Sequence, residues 1–226
     1  MSEAIEEVTK EPEIEIAVPE HADNTVSTIV GDHIVFVGLH HDEDISCPDE
    51  DDQQWKLYSF NTRHRHHTED VEQFKTIGFR RKLEVGLAFV LGYFEHGNSA
   101  WHISGQKPPG TEGDYRWDGR EGAGVLVWEH DPSYIGAKTK EDRENDAKGF
   151  LEVFNAWTNG EGYGYVVRIY KLRKADGSEI YDDERDYRYE KPIFDDSCWG
   201  FYGDDINRGI AEALGHAREE LQEASA

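Results

Sequence analysis

The chain has 226 residues, with 48 Asp+Glu against 24 Lys+Arg and a formal net charge of −24. A field of that sign repels phosphate backbones and anionic lipid surfaces and argues against direct nucleic-acid or membrane-surface binding, while 37% hydrophobic and 12% aromatic content suffices for a buried core. Two cysteines, Cys47 and Cys198, exclude a disulfide framework and any CxxC motif and fit a reducing, cytoplasmic setting.

Residues 1–23 are acidic, contain prolines and have little apolar content, so they read as a flexible tail that cannot repay its ordering entropy. They lack the basic and apolar regions of a signal peptide, and no later run approaches the roughly 18 apolar residues of a membrane span. Residues 24–226 read as a single domain. "TIVGDHIVFVGLHH" is rich in β-branched residues and predicts a strand. "DEDISCPDEDD" crowds Asp42, Glu43, Asp44, Asp49, Glu50, Asp51 and Asp52 around Cys47 and predicts an exposed loop, since repulsion and desolvation both oppose burial. "WKLYSF" predicts a short strand. "VGLAFVLGYF" predicts a buried strand or a short core helix, two outcomes that periodicity does not separate.

"WHIS" and "GAGVLVWEHD" predict further strands, separated by the long loop "GQKPPGTEGDYRWDGREG". A helix follows with Thr139 as N-cap and Gly160 as its stop, and Phe150, Leu151, Phe154 and Trp157 form its apolar stripe. "GYGYVVRIYKLRKADGSEIYDDERDY" predicts a hairpin turning at "ADGS". Ile206, Ile210, Ala213, Leu214, Ala217 and Leu221 share one face of a C-terminal amphipathic helix that aspartates begin. The fold class is α+β: a mostly antiparallel sheet, a mid-chain helix and a C-terminal helix. No P-loop, GxGxxG, HExxH or GxSxG occurs.

The ordered landmarks "GYFEHGNSAWHIS", "YRWDGREGAGVLVWEHD", "LEVFNAW", "GEGYGYVV" and "DDSCWGFYG" resemble those of a small family of bacteriophage and prophage proteins without established biochemistry. The likeness spans residues 57–212, and the closing Asp-Ser-Cys-Trp-Gly-Phe-Tyr-Gly is its most specific part. "HGNS" stands where that family has His-Ser-Gly, and "WDGREG" where it has Trp-Asp-Ser-Gly. The resemblance implies a phage origin and a site of action in the bacterial host cytoplasm.

Cys198 is the candidate nucleophile, with His96, His102 and His130 as possible bases. A thiolate needs a cation or a helix N-terminus beside it, and here the neighbours are Asp195, Asp196, Asp204 and Asp205. The preferred reading makes Asp196, Cys198, Trp199, Gly200, Tyr202 and Gly203 a structural motif, with the rings and thiol turned inward to anchor the last helix. His96 and Asp118 form a second candidate pair, for acid–base work or a cleft with Trp101 and Trp117. The duller version has each of them ordering its own turn.

His64 and His66, expected on one face of a strand, could hold zinc or nickel with a carboxylate from the acidic loop. Arg63 and Arg65 interleave and disfavour a cation, so no metal and no cofactor are expected. The remaining carboxylates, including Asp182, Asp183, Glu184 and Asp186, suit an acidic binding surface. The expected function is an accessory protein, a DNA mimic or inhibitor, that binds a basic host protein of defence or nucleic-acid handling. The alternative is a small hydrolase or nucleotide-handling enzyme using Cys198 or His96 with Asp118.

Overall fold

The computed structural model describes residues 14–50, 55–108, 111, 114–172 and 191–224. The fold is α+β, and the described residues form two antiparallel four-stranded sheets and four α-helices. Where the sequence reads as one domain, the chain forms two compact units. The first joins the residues up to Asp42 to those from Tyr163 onward, and the second is Glu43–Gly162. Each unit has its own sheet and its own core; the C-terminal helix belongs to the first, and the other three helices to the second.

In the first unit the order is β1 (Asn24–Val30), β2 (His33–His41), β7 (Gly162–Lys171) and β8 (Phe194–Tyr202), with α4 (Asp205–Ala224) packed against the sheet. The single strand expected around residue 30 is a hairpin. Gly31 takes φ 61°, which L side chains resist, and turns the chain through Gly31 and Asp32 so that Val30 pairs with His33. Val35, Val37, Val167 and Ile169 alternate onto one face and meet Ile206, Ile210, Ala213, Leu214, Ala217 and Leu221, the stripe that the sequence predicts. The described part of the expected tail, from residue 14 on, is packed and not free. Ile16 is buried in this core, Arg218 Nε donates to the Ile14 carbonyl at 2.9 Å, and the Ala17 amide donates to Thr28 Oγ1 at 2.9 Å. The "ADGS" turn and its return strand lie outside the described residues.

In the second unit the order is β3 (Trp55–Ser59), β6 (Gly119–Trp128), β4 (Ala88–His96) and β5 (Asn98–Ile103). β4 settles the helix-or-strand ambiguity in favour of a strand. Both faces of this sheet are covered, so β4 and β6 read as continuous apolar runs. Leu57, Phe89, Leu91, Leu126 and Trp128 face α3 (Lys140–Thr158), while Ala88, Val125 and Val127 pack with Phe79 of α1 (Ile77–Val85). Thr139 caps α3 in a reciprocal capping box with Asp142, and the chain leaves at Gly160 with φ 76°. The loop expected after Gly105 is shorter than the composition implies, because Tyr115–Asp118 form a single helical turn, α2, and β6 begins at Gly119.

Two asparagines tie α3 to the edge strand β5. The Asn155 side chain accepts from the Trp101 amide at 2.8 Å and donates to its carbonyl at 3.0 Å. Asn159 does the same to Ser99 at 2.8 and 3.0 Å. Four helical residues rise about 6 Å and two strand residues about 6.6 Å, so the two spacings match. The open ladder of an edge strand is thereby closed by side-chain amides.

Candidate functional site

The residues singled out from sequence fall into three groups. The first is the "DDSCWGFYG" segment, which corrects the expected anchor. It is the strand β8, not a hinge, and Cys198 is exposed and Trp199 is 50% exposed. The Trp199 indole lies over Gly164, where a Cβ would come within 2.2 Å of it, and stacks on His40 with ring centroids 6.0 Å apart. Of the rings, Phe201 turns to the core, against Tyr165 and over Gly209. Gly200, at φ 88°, donates its amide to Asp42 Oδ2 at 3.0 Å, and Gly203, at φ 52°, turns the chain into α4. Asp196 and Tyr202 are half-buried.

The second group is His96 and Asp118, which the fold does bring together. His96 closes β4, Asp118 ends α2, and His96 Nδ1 lies 2.8 Å from Asp118 Oδ2. The hydrogen bond to Asp118, then the charges of Asp118 and Asp114, raise the His96 pKa above its ordinary value. The pair is solvent-exposed, and Trp117 beside it is 76% exposed. Trp101, the other expected wall of that cleft, is instead buried in the core of the second unit.

The third group was not assembled from sequence. Asp49, expected among exposed loop carboxylates, is only 8% exposed. Its Oδ1 accepts from Cys47 Sγ at 3.0 Å and lies 3.2 Å from His66 Nε2, and the same Sγ lies 3.4 Å from that nitrogen. Burial desolvates Asp49 and works to raise its pKa. Hydrogen bonds from His66 and Cys47 outweigh this and hold the carboxyl below its usual value. Burial, aided by the Asp49 hydrogen bond, pushes the Cys47 thiol up to about 12. A thiol–imidazole–carboxylate relay uses opposite ring nitrogens for its two partners. Here both partners face Nε2, so the arrangement converges on a point and does not relay a proton.

A cavity of about 270 Å³ adjoins this cluster, lined by His64, Arg65, His66, Tyr93, Trp101 and Phe154 among others. His64 is not on a strand and both its nitrogens are engaged, Nδ1 with Ser59 Oγ at 2.7 Å and Nε2 with Asn61 Nδ2 at 3.2 Å. Arg65 pairs with Glu50 at 2.9 Å and lies over the Trp157 ring.

Of the acidic surface, Glu43 and Asp44 are exposed, Asp42 is half-buried, and Glu50 faces Arg65. Asp51, Asp52, Asp182, Asp183, Glu184 and Asp186 lie outside the described residues. Among the described residues no helix is long and apolar enough to cross a membrane. No family model matches the chain, and no curated protein or solved structure does.

Proposed function

We propose that this protein acts by binding a partner protein with a basic surface, such as a host defence or nucleic-acid-handling enzyme, in the manner of an acidic inhibitor or DNA mimic. The observation that carries this reading is Trp117, 76% exposed on α2 between the backbone positions of Asp114 and Asp118, with Arg116 over its ring at 5.0 Å, in a chain of net charge −24. Exposed tryptophans dominate binding energy at interfaces, and surrounding carboxylates steer cationic partners and select among them. The likeness to phage-encoded proteins agrees with such a target. The folded-back acidic loop narrows the proposal, because Asp49 is spent inside the protein and is not offered to a partner.

The test is capture of basic host nucleases and other DNA-binding proteins on the immobilised chain, with duplex DNA as competitor. Binding that falls at 1 M salt, where screening reaches about 3 Å, falls again in Trp117→Ala and is displaced by DNA is the expected result. Capture indifferent to salt and to Trp117→Ala counts against it.

One observation favours a second reading, that of a hydrolase or nucleotide-handling enzyme: His96 and Asp118 stand 2.8 Å apart as an acid–base pair requires. It predicts a turnover of esters or nucleotides that His96→Gln abolishes. Turnover that survives that change removes it.

A further inference from the structure

We propose that Cys47, Asp49 and His66 bind one divalent transition-metal ion of the zinc class, with three protein ligands and a fourth position left for water or a small ligand. The three donor atoms already face one another, with Sγ to Oδ1 at 3.0 Å, Oδ1 to Nε2 at 3.2 Å and Nε2 to Sγ at 3.4 Å. A tetrahedral ion with its usual sulfur, nitrogen and oxygen bond lengths needs edges of about 3.3–3.6 Å. The donors therefore part by a few tenths of an ångström, and no backbone needs to move.

The chemistry of the set selects the ion. One thiol, one imidazole and one carboxylate suit zinc, cobalt or nickel, whereas magnesium and calcium call for oxygen throughout. A thiolate and a carboxylate together neutralise a doubly charged ion, so a complete site buries no net charge. Binding exchanges the Cys47 Sγ proton for the ion. One proton leaves to solvent, one sulfur–metal bond forms, and no electron is transferred.

The ligands are held in place before any ion arrives. Cys47 and Asp49 sit in one turn, closed by the Glu50 amide on the Cys47 carbonyl at 3.0 Å. The His66 carbonyl accepts from Ser59 at 2.8 Å, and its ring packs against Phe154 and Trp157 at 5.1 and 5.8 Å between centroids. Two cations stand nearby. Arg65 is answered by Glu50, and the Lys56 ammonium is bonded to the Asp49 backbone carbonyl, where its charge also favours the ionised carboxylate. His66 also borders the 270 Å³ cavity, whose aromatic walls give a small ligand on the fourth position somewhere to lie. Catalytic zinc sites likewise keep three protein ligands and one open position.

The experiment is titration of the metal-stripped full chain with Co²⁺, followed by Zn²⁺. The expected result is one Co²⁺ per chain with a thiolate-to-cobalt charge-transfer band and strong visible bands of a four-coordinate ion, bleached by one equivalent of Zn²⁺. The band persists in Cys198→Ser, which removes only the exposed thiol, and disappears in Cys47→Ser and His66→Gln. Because those two variants touch a buried cluster, Cys198→Ser provides the deciding measurement on an intact site. If it takes up Co²⁺ only as a weakly coloured six-coordinate ion on surface carboxylates, or takes up none, the assignment is overturned. A band that survives in Cys47→Ser overturns it equally.

Discussion

At the scale of single residues the two cysteines have opposite environments, and that difference can be measured. Cys198 is exposed on β8, whereas Cys47 is 4% exposed and its thiol is pushed up to about 12. In the metal-free protein an alkylating reagent at pH 8 should modify one thiol quickly, identified by peptide mapping as Cys198, and reach Cys47 only in denaturant. Equal rates would contradict the burial of the cluster. The His96 pKa is raised by Asp118, so a proton is bound more tightly in the folded chain than in the unfolded one. The stabilisation this brings is fully present below the unfolded value of about 6.5 and fades as pH rises through the folded value. An NMR titration should place His96 above the unfolded value, and Asp118→Asn should bring it back down. The sequence offers the His96–Asp118 pair as a candidate, and the structure brings the two together, but the contrast between the two cysteines is not legible in it. Composition treats the acids from Asp42 to Asp52 alike, and only the fold carries His66 back to Asp49. The "HRHH" stretch with a nearby acidic loop suggests His64, His66 and a carboxylate together, a reading the interleaved arginines disfavour; in the fold His66 meets Asp49 and Cys47, while His64 is engaged by Ser59 and Asn61.

At the scale of elements, helices and covered strands were readable because their periodicities are strong. The α4 stripe is buried at every position that the 3.6-residue period selects, and Thr139 caps α3 where an N-cap stands in the sequence. The Asn155 and Asn159 clamp on β5 was invisible, since asparagine in a helix reads only as a weak former. It carries a clear expectation. Asn155→Ala leaves the Trp101 amide and carbonyl without their side-chain partners and should destabilise the second unit by about 1–3 kcal/mol, measured by urea unfolding, with Asn155→Asp giving only part of that loss. The β8 segment reads from sequence as a packed corner because it is a run of rings and small residues, and a strand with one face outward has the same composition. Trp199→Ala should cost about 1–2 kcal/mol, less than a core tryptophan, because half the ring is already in water and the removed contact is with Gly164 and His40. A larger loss in melting experiments would mean that the ring is covered in solution.

At the scale of the whole molecule, the division into two units escaped the sequence because no linker marks it: the chain passes directly from strand β2 into the acidic turn. The second unit is continuous, carries a sheet covered on both faces, and buries Trp55, Trp101 and Trp128 in its own core. Residues 43–162 expressed alone should therefore unfold in one cooperative transition with blue-shifted tryptophan emission. A fragment with unstructured emission and no transition would show that the unit depends on the rest of the chain.

The first unit is assembled from both ends of the sequence, since β2 takes its central-sheet partner from β7, with His41 opposite Tyr163. On the ribosome the β1–β2 hairpin emerges early, with Ile34, Val35, Phe36 and Val37 ready to pack, and β7 follows only after all of residues 43–162 have been synthesised. At ordinary elongation speeds that wait is on the order of ten seconds. During it the nascent hairpin has neither its strand partner nor α4, which makes it the segment that a ribosome-associated chaperone would be expected to cover.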